Sequence, residues 1–334
     1  MKNEEDIVVS VIILTYNQEQ YIAQAIEGVL MQRTDYPMEI IVSDDCSNDS
    51  TPEICLRYAE LYPDKIRFIA NKKNKGLVDN YFDTLLWAKG RYIADCAGDD
   101  YWSDPDKLDR QITILEKNEG IVLTHTDFKI YDEASQTLQK EGAYKTRGVV
   151  KPVRAHCTTH IYTLLNQHIV PFVFLSSACF RIKTFREVYD RYKVYFRNKT
   201  YPCEDYQLIF FLLLSGDFYY EDRATVVYRV SESISNSKAI DRQFDFIYRT
   251  YLLRVNLIQN FKFEASRCEL FFYTRLKSIL SLSMCLGKNE YGRSAVEKAR
   301  RAGYVLPMRL KLYAWMNNYK WTTMLFATLK QLKK

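Results

Sequence analysis

The sequence predicts an α/β protein: a doubly wound, mostly parallel sheet with helices on both faces, followed by a helical C-terminal region. Three observations carry this. The run "IVVSVIILTY" (Ile7–Tyr16) is nearly continuous in β-branched residues, as in a strand buried on both faces. Over 7–125, short apolar runs alternate with segments of 3.6-residue periodicity, the pattern of parallel strands joined by helices. From Ala239 onward only helical periodicity remains.

The elements follow in order. After the first strand, Ile22, Ile26, Val29 and Leu30 share a helical face. "MEIIVSDD" is a second strand and "STPEICLRYAEL" a second helix, with a Ser50–Glu53 capping box and Pro52 in the first turn. "KIRFIA" is a third strand. "LVDNYFDTLLWAKG" is a helix closed by Gly90. "RYIADCA" is a fourth strand, "SDPDKLDRQITILEKN" a helix with an Asp-Pro start, and "GIVLTH" a fifth strand. Over 126–236 short strands ("FKIYDE", "SSACFRI", "DFYYED", "ATVVYRV") mix with helices. In 237–334, Phe244, Ile247, Tyr251, Val255 and Ile258 keep one helical face.

At 334 residues, with 47% apolar and 26% charged residues, the chain has enough apolar residues for a sizeable core. The start "MKNEEDIVVS" is acidic and unlike a secretory signal. The longest apolar block, Leu208 to Leu214, is about a third of the ~20 residues that cross a bilayer, so no transmembrane helix is expected. Eight scattered cysteines without a CxxC pair suit a reducing cytoplasm. Charge is uneven: Lys298 to Lys334 carries nine Lys and Arg and no acid, against +6 for the whole chain. This basic tail is interleaved with Tyr313, Trp315, Tyr319, Trp321 and Phe326. It reads as a solvated basic face or as a peripheral contact with anionic membrane, with nucleic acid the least favoured partner.

In doubly wound sheets ligands sit beyond the carboxyl ends of the strands. The residues following strands one, two and four are Thr15-Tyr16-Asn17, then Asp44-Asp45-Cys46-Ser47-Asn48-Asp49, then Gly98-Asp99-Asp100. Alone, the second of these reads as a polar loop of capping residues. Two acidic clusters at one end of one sheet ask for a cation, because neighbouring carboxylates raise each other's pKa. Oxygen-only ligands suit Mg2+ or Mn2+, which complete their shells with substrate phosphates. A nucleoside diphosphate carried by a metal is the natural ligand. The chain has no GxxxxGK[ST] and no GxGxxG after the first strand, against P-loop and nicotinamide sites.

The stretches "VSVIILTYNQEQYIAQAIEGVLMQ", "IIVSDDCSNDST" and "NKGLVDNYFDTLLWAKGRYIADCAGDDYWSDPDKLDRQ" resemble the nucleotide-sugar domain of family-2 glycosyltransferases, the GT-A fold. The resemblance is strong over 8–125, weaker to about 236 and absent beyond. It implies a catalytic domain over 1–236, with a nucleotide-sugar half (7–125) and an acceptor-side half (126–236), and a helical region with a basic tail at 237–334. It places Thr15, Tyr16 and Asn17 at the nucleotide. It matches Asp44 and Asp45, with Asp44 toward the base, and Asp49 and Thr51 to the remainder of the same motif. Asn74, Gly76 and Asn80 match an "NxGxxxN" element beside the nucleotide. Asp99 is the last carboxylate of the "DxD" metal motif and Asp100 follows it, so both are expected at the metal. The first acid of that motif is replaced by Ala97; Asp95 shares the strand parity of Ala97, one step deeper.

The resemblance further implies a general base at "ED", here Glu204 and Asp205, with Asp205 preferred, since the acceptor hydroxyl must lose its proton. Alone, these two read as an acidic helix N-terminus. "VVYRVSES" offers Tyr228 and Arg229, the latter to neutralise the diphosphate. Ser231 stands where the family has His. "PFVFLSSACFR" resembles the acceptor-side strand. The expected activity is therefore an inverting glycosyl transfer from a nucleotide-diphosphate sugar to a glycan or lipid-linked acceptor, at the cytoplasmic face of the membrane. Alternatives are a non-catalytic sugar-nucleotide binder and a metal-dependent phosphoryl or nucleotidyl transferase. His156 and His160, four apart with Cys157 beside them, read as surface or packing residues before a zinc site.

Overall fold

The structure is a computed structural model that describes residues 7–167, 171–230 and 239–319. Its described residues form two compact units. The first holds all ten strands. The second holds four C-terminal helices, together with residues 162–167 and 200–202.

The first unit runs β1 (Val9–Thr15), α1 (Ile22–Leu30), β2 (Met38–Asp44), α2 (Thr51–Leu61), β3 (Ile66–Ala70), α3 (Leu77–Trp87), β4 (Tyr92–Asp95), β5 (Tyr101–Trp102) and α4 (Lys107–Lys117). It continues through β6 (Ile121–Asp132), β7 (Thr137–Leu138), α5 (Ala143–Thr146), β8 (Arg154–Ala155), α6 (Cys157–Leu165, of which the residues from Tyr162 belong to the second unit), β9 (Cys179–Arg181), α7 (Ile182–Phe196), α8 (Asp205–Ser215) and β10 (Asp217–Val230). The sheet order is β3-β2-β1-β4-β9-β6-β10-β5. Strands β3, β2, β1 and β4 are parallel, as are β6 and β10. Strand β9 pairs antiparallel with both β4 and β6, one reversed strand between the parallel groups.

Strand parity separates two cores. Val9, Val11 and Ile13 of β1, with Tyr92 and Ala94 of β4, pack with Ile22, Ile26 and Val29 of α1 and Leu108, Ile112 and Leu115 of α4. The α3/α7/α8 layer is aromatic: Phe82 stacks with Phe185 at 6.3 Å, meets Phe196 at 5.0 Å, and Phe196 meets Phe211 at 5.3 Å. Such ring pairs add to simple area burial.

Three local expectations need correction. The Ser50 capping box does not form: the Ser50 amide donates to Glu19 Oε2 and the Thr51 amide to Asp49 Oδ1. Helix α3 ends at Trp87, with Ala88 already extended, so Gly90 is not its cap. Gly90 is needed instead because a Cβ there would lie 2.5 Å from the Ser10 backbone nitrogen. The short strands read separately after residue 120 join into two long ones, β6 and β10. A bulge between Glu221 and Ala224 lets the second bend while it stays paired.

In the second unit, α9 (Ile240–Asn260), α10 (Glu269–Leu286), α11 (Asn289–Arg301) and α12 (Met308–Met316) surround Tyr251, Phe271, Phe272, Leu276, Ile279 and Leu280. The buried Tyr251 hydroxyl donates to the Ala295 carbonyl at 2.7 Å, and Gly287 closes α10 in the left-handed region (φ 68). No described helix is long and apolar enough to cross a membrane. Ser231 and residues 320–334 of the basic tail lie outside the described residues.

Candidate active site

The register places Thr15 beside Asp44 and Asp44 beside Ala70, so β1, β2 and β3 end level. The first two loops are laced together. The Asn17 amide donates to Ser47 Oγ at 2.8 Å, Asn48 donates to Asn17 Oδ1 at 2.8 Å, and Gln18 donates to Thr51 Oγ1 at 2.8 Å. Asn17 (φ 53) and Cys46 (φ 65) both occupy the left-handed region, a costly backbone state for residues other than glycine. Tyr16 projects from this pair of loops, 46% exposed. The Thr15 hydroxyl is buried with no partner in the structure.

The acidic pair after β2 builds the wall. Asp44 accepts the Ser47 amide at 3.0 Å and the Ser47 hydroxyl, and is 1% exposed. Asp45 accepts the Lys75 amide at 2.9 Å and the Gly76 amide at 2.8 Å, while Asn74 Nδ2 donates to its carbonyl at 3.0 Å. Gly76 adopts φ 84 at the start of α3. Asn80 is buried and joins Ser43 Oγ and Asn71 Nδ2, both at 2.8 Å. Asn74, Gly76 and Asn80 thus hold the loop that flanks Asp45.

The loop after β4 crosses the end of β1. A Cβ on Gly98 would lie 2.7 Å from the Leu14 carbonyl oxygen and 2.4 Å from Gln18 Oε1. Gly98→Ala must therefore push the Asp99 loop off β1; we expect about 1–3 kcal/mol lost, read by denaturant titration.

Asp99 and Asp100 differ. Asp100 is 3% exposed, and its carboxylate accepts the Ser176 hydroxyl at 2.6 Å and the Arg229 amide at 3.1 Å. Asp99 is half-buried. Burial raises the pKa of both, and for Asp100 the neighbouring Asp99 charge adds to the rise. Arg229, at the end of β10, donates through Nε to the Asp99 carbonyl at 3.0 Å, through Nη1 to Glu133 at 2.6 Å and through Nη2 to Gln24 at 2.5 Å. Its guanidinium lies over the rings of Tyr21, Tyr101 and Tyr131 at 4.6, 5.6 and 5.3 Å.

The donor set suits Mg2+ or Mn2+: oxygen only, with a half-buried carboxylate at Asp99. Among the described residues no group of three or more His, Cys, Asp or Glu is arranged to hold a metal alone. The chain thus offers part of a shell, the usual protein share when substrate phosphates complete it.

Behind the β4 end lies a second acidic group. Asp95 shares the parity of Ile93, toward α3 and α8. Its buried carboxylate faces the buried Tyr81 hydroxyl, and the two act on each other through a side-chain hydrogen bond. The charges of Asp95, Glu204 and Asp205 all act on Tyr81, which places the β4 end, α3 and the start of α8 together. Asp205 opens α8 and accepts the Tyr206 amide at 2.6 Å. Burial pushes Asp95 up to about 7; the Tyr81 hydroxyl and then Lys107 oppose the shift, and Asp205 adds to it. Burial and then the Asp205 charge push Glu204 up to about 8. Buried Lys107, lying 4.0 Å over Trp102, is itself lowered to about 8 by burial.

A carboxyl whose folded pKa is raised favours folding fully below its unfolded pKa and loses that contribution as pH rises through the folded value. Facing Asp95 are Tyr81, Lys107, Glu204, Asp205 and Asp100. Asp95 should therefore contribute a fall in melting temperature from pH 5 to pH 8. Asp95→Asn should flatten that fall, which a melting series against pH would show.

Sequence reasoning missed Tyr81, Ser176, Gln24 and Glu133. Gln24, Tyr81 and Ser176 lie within the stretches that carry the family resemblance but at positions to which those stretches assign no role, and Glu133 lies outside them. His156 and His160 do not form a metal pair: His156 Nδ1 meets Asp217 at 2.6 Å and His160 Nδ1 meets the Thr159 hydroxyl at 2.6 Å.

Comparison with known proteins bears on the family and the fold. The Mycobacterium bovis protein Mb1547, described as uncharacterized, is 42% identical over 128 residues, 38% of this chain and 37% of that protein. The Escherichia coli UDP-Glc:alpha-D-GlcNAc-diphosphoundecaprenol beta-1,3-glucosyltransferase WfgD is 31% identical over 173 residues, 51% of this chain and 66% of that protein. The matched segment thus spans little more than a third of the first relative. Among solved structures, S. aureus TarS 1-349 in complex with UDP-GlcNAc has a TM-score of 0.63 at 19% identity, covering 98% of this chain and 93% of that one. The mannosyltransferase PcManGT from Pyrobaculum calidifontis, in complex with GDP-Man and Mn2+, has a TM-score of 0.54 at 15% identity, covering 96% and 86%. At these identities the likeness is one of fold, and that fold is GT-A. The family model for glycosyl transferase family 2 matches residues 10–188, more than half of the sequence and all three strand-end loops of the site. Those loops, on this sheet and matched to that model, make the chain a member of glycosyl transferase family 2.

Proposed function

We propose that the chain is an inverting glycosyltransferase. It moves a sugar from a nucleoside-diphosphate sugar to a hydroxyl of a glycan or lipid-linked acceptor. The observation that carries this reading is the convergence at the carboxyl ends of β1, β2 and β4 of their following loops with the carboxylates that open α8. A donor-side wall and an acceptor-side base are what glycosyl transfer needs.

Tyr16 is the exposed ring available to the nucleoside. Thr15, Asn17, Asp44, Asp45, Asn74, Gly76 and Asn80 shape and stiffen the wall around it. Asp205 takes the proton of the acceptor hydroxyl as that oxygen attacks the anomeric carbon, with Glu204 beside it. The bond from the anomeric carbon to the diphosphate breaks, and the nucleoside diphosphate leaves with the electron pair. Asp99 would hold a Mg2+ or Mn2+, with Asp100 bracing the loop behind it, and the bound ion would supply charge stabilisation for the leaving diphosphate. Arg229 joins that role by exchanging Glu133 for a phosphate oxygen.

WfgD is named for a UDP-glucose donor and a diphosphoundecaprenol-linked acceptor. The shared segment supports the same classes here, and such an acceptor places the enzyme at the inner face of the cell membrane. The test is a panel of sugar nucleotides with Mn2+, followed by thermal shift and by nucleotide release. We expect one donor to stabilise the protein and to be consumed when an acceptor is supplied. Stabilisation without release under any acceptor would leave only a binder. No response to any nucleotide diphosphate or its sugar would sink the reading.

A further inference from the structure

Helix α12 in the second unit presents an apolar stripe to solvent. Met308, Leu312 and Trp315 stand at i, i+4 and i+7 on one face, 79%, 56% and 47% exposed. Val305, just before the helix, is 81% exposed. The opposite face fixes the helix: Leu310 is fully buried, and Asn317 donates to Ser283 Oγ at 2.7 Å and to the Leu280 carbonyl at 3.2 Å. A Cβ on Gly292 would lie 2.7 Å from Asn317 Oδ1, so α11 lies close against this anchor.

Beside the stripe is a groove of about 350 Å3 whose lining includes Arg293, Arg300, Lys311 and Trp315. Its one acid, Glu297, pairs with Arg301. Trp315 belongs to both features. Exposed apolar side chains next to a cationic groove match the layering of a bilayer surface, with acyl chains below and phosphates above.

We propose that this face of α12 docks on an anionic lipid surface. Val305, Met308, Leu312 and Trp315 enter the interface, and Arg293, Arg300 and Lys311 collect lipid phosphates. The proposal does not depend on the donor-site reading. A second copy of the chain, the chain's own residues 320–334 and a nucleic acid are the competing occupants, and the test separates them.

The test is co-sedimentation of the full chain with phosphatidylcholine vesicles, with and without about 30% phosphatidylglycerol. Binding is expected only to the anionic vesicles, and should weaken as salt is raised. Leu312→Ser should lower the partition coefficient roughly tenfold. Arg300→Gln with Lys311→Gln should lower it by a similar factor on anionic vesicles. Because these side chains are exposed, the variants should keep the wild-type melting temperature, which is measured alongside. Absence of binding overturns the proposal, as does equal binding by wild type and Leu312→Ser. It also fails if Lys330→Gln, Lys333→Gln and Lys334→Gln together abolish binding while the α12 variants do not. A concentration-dependent dimer lost in Leu312→Ser would assign the face to a second copy. Retention on a single-stranded oligonucleotide without vesicle binding would assign the groove to nucleic acid.

Discussion

Asp205→Asn should bind donor as the native protein does and lose transfer by about 10²–10⁴-fold in kcat, the usual contribution of a positioned general base. The amide matches the carboxylate in shape and still accepts the Tyr206 amide, so α8 keeps its first turn. What it cannot do is take a proton. The loss should therefore fall on kcat while the donor thermal shift stays unchanged. Glu204→Gln serves as the comparison. Burial and the neighbouring Asp205 charge push Glu204 up to about 8, which favours its protonated form and makes it the weaker candidate for taking a proton. Its amide variant should lose far less transfer. If Glu204→Gln were the inactive variant and Asp205→Asn the active one, the two roles would be exchanged. If neither affected transfer, the base would lie elsewhere.

The strand ends were legible because buried parallel strands announce themselves as β-branched runs, and the polar residues at which those runs stop are Thr15, Asp44 and Asp99. The parity of Asp95 with Ala97 was also in the sequence. Its environment was not, because Tyr81 comes from α3 and Asp205 from α8, over a hundred residues away. Strand direction was equally hidden: "SSACFRI" has the composition of any buried strand, and only pairing with β4 and β6 makes β9 antiparallel. The capping box failed for a related reason. Ser50 and Glu53 have the right spacing, but Glu19 takes the Ser50 amide that Glu53 would have accepted, and the Ser50 side chain caps no amide of the helix. Arg229 could be seen as a cation near the diphosphate. The Glu133 and Gln24 that hold it could not.

The two adjacent aspartates after β4 should respond to substitution in opposite ways. Asp99→Asn leaves the fold intact, since Asp99 is half-buried and the bond to Arg229 Nε comes from its backbone carbonyl. It removes the half-buried carboxylate of the loop after β4. We expect Mn2+ to stop enhancing the donor thermal shift and kcat/KM to fall by about 10²-fold or more, since charge stabilisation by a metal amounts to several kcal/mol. Asp100→Asn acts on structure. Its carboxylate holds Ser176 Oγ and the Arg229 amide, and an amide nitrogen turned toward either donor leaves a buried group unsatisfied. That costs about 1–3 kcal/mol, visible as a lower denaturation midpoint, with the Mn2+ dependence of donor binding retained. Asp99 is then the ligand and Asp100 the brace. Loss of Mn2+ response in both variants would make them joint ligands, and loss in neither would remove the cation from this loop. The replacement at Ala97 sharpens the contrast: with no acid there, Asp99 has no strand-borne partner, and metal binding in the absence of nucleotide should be weak.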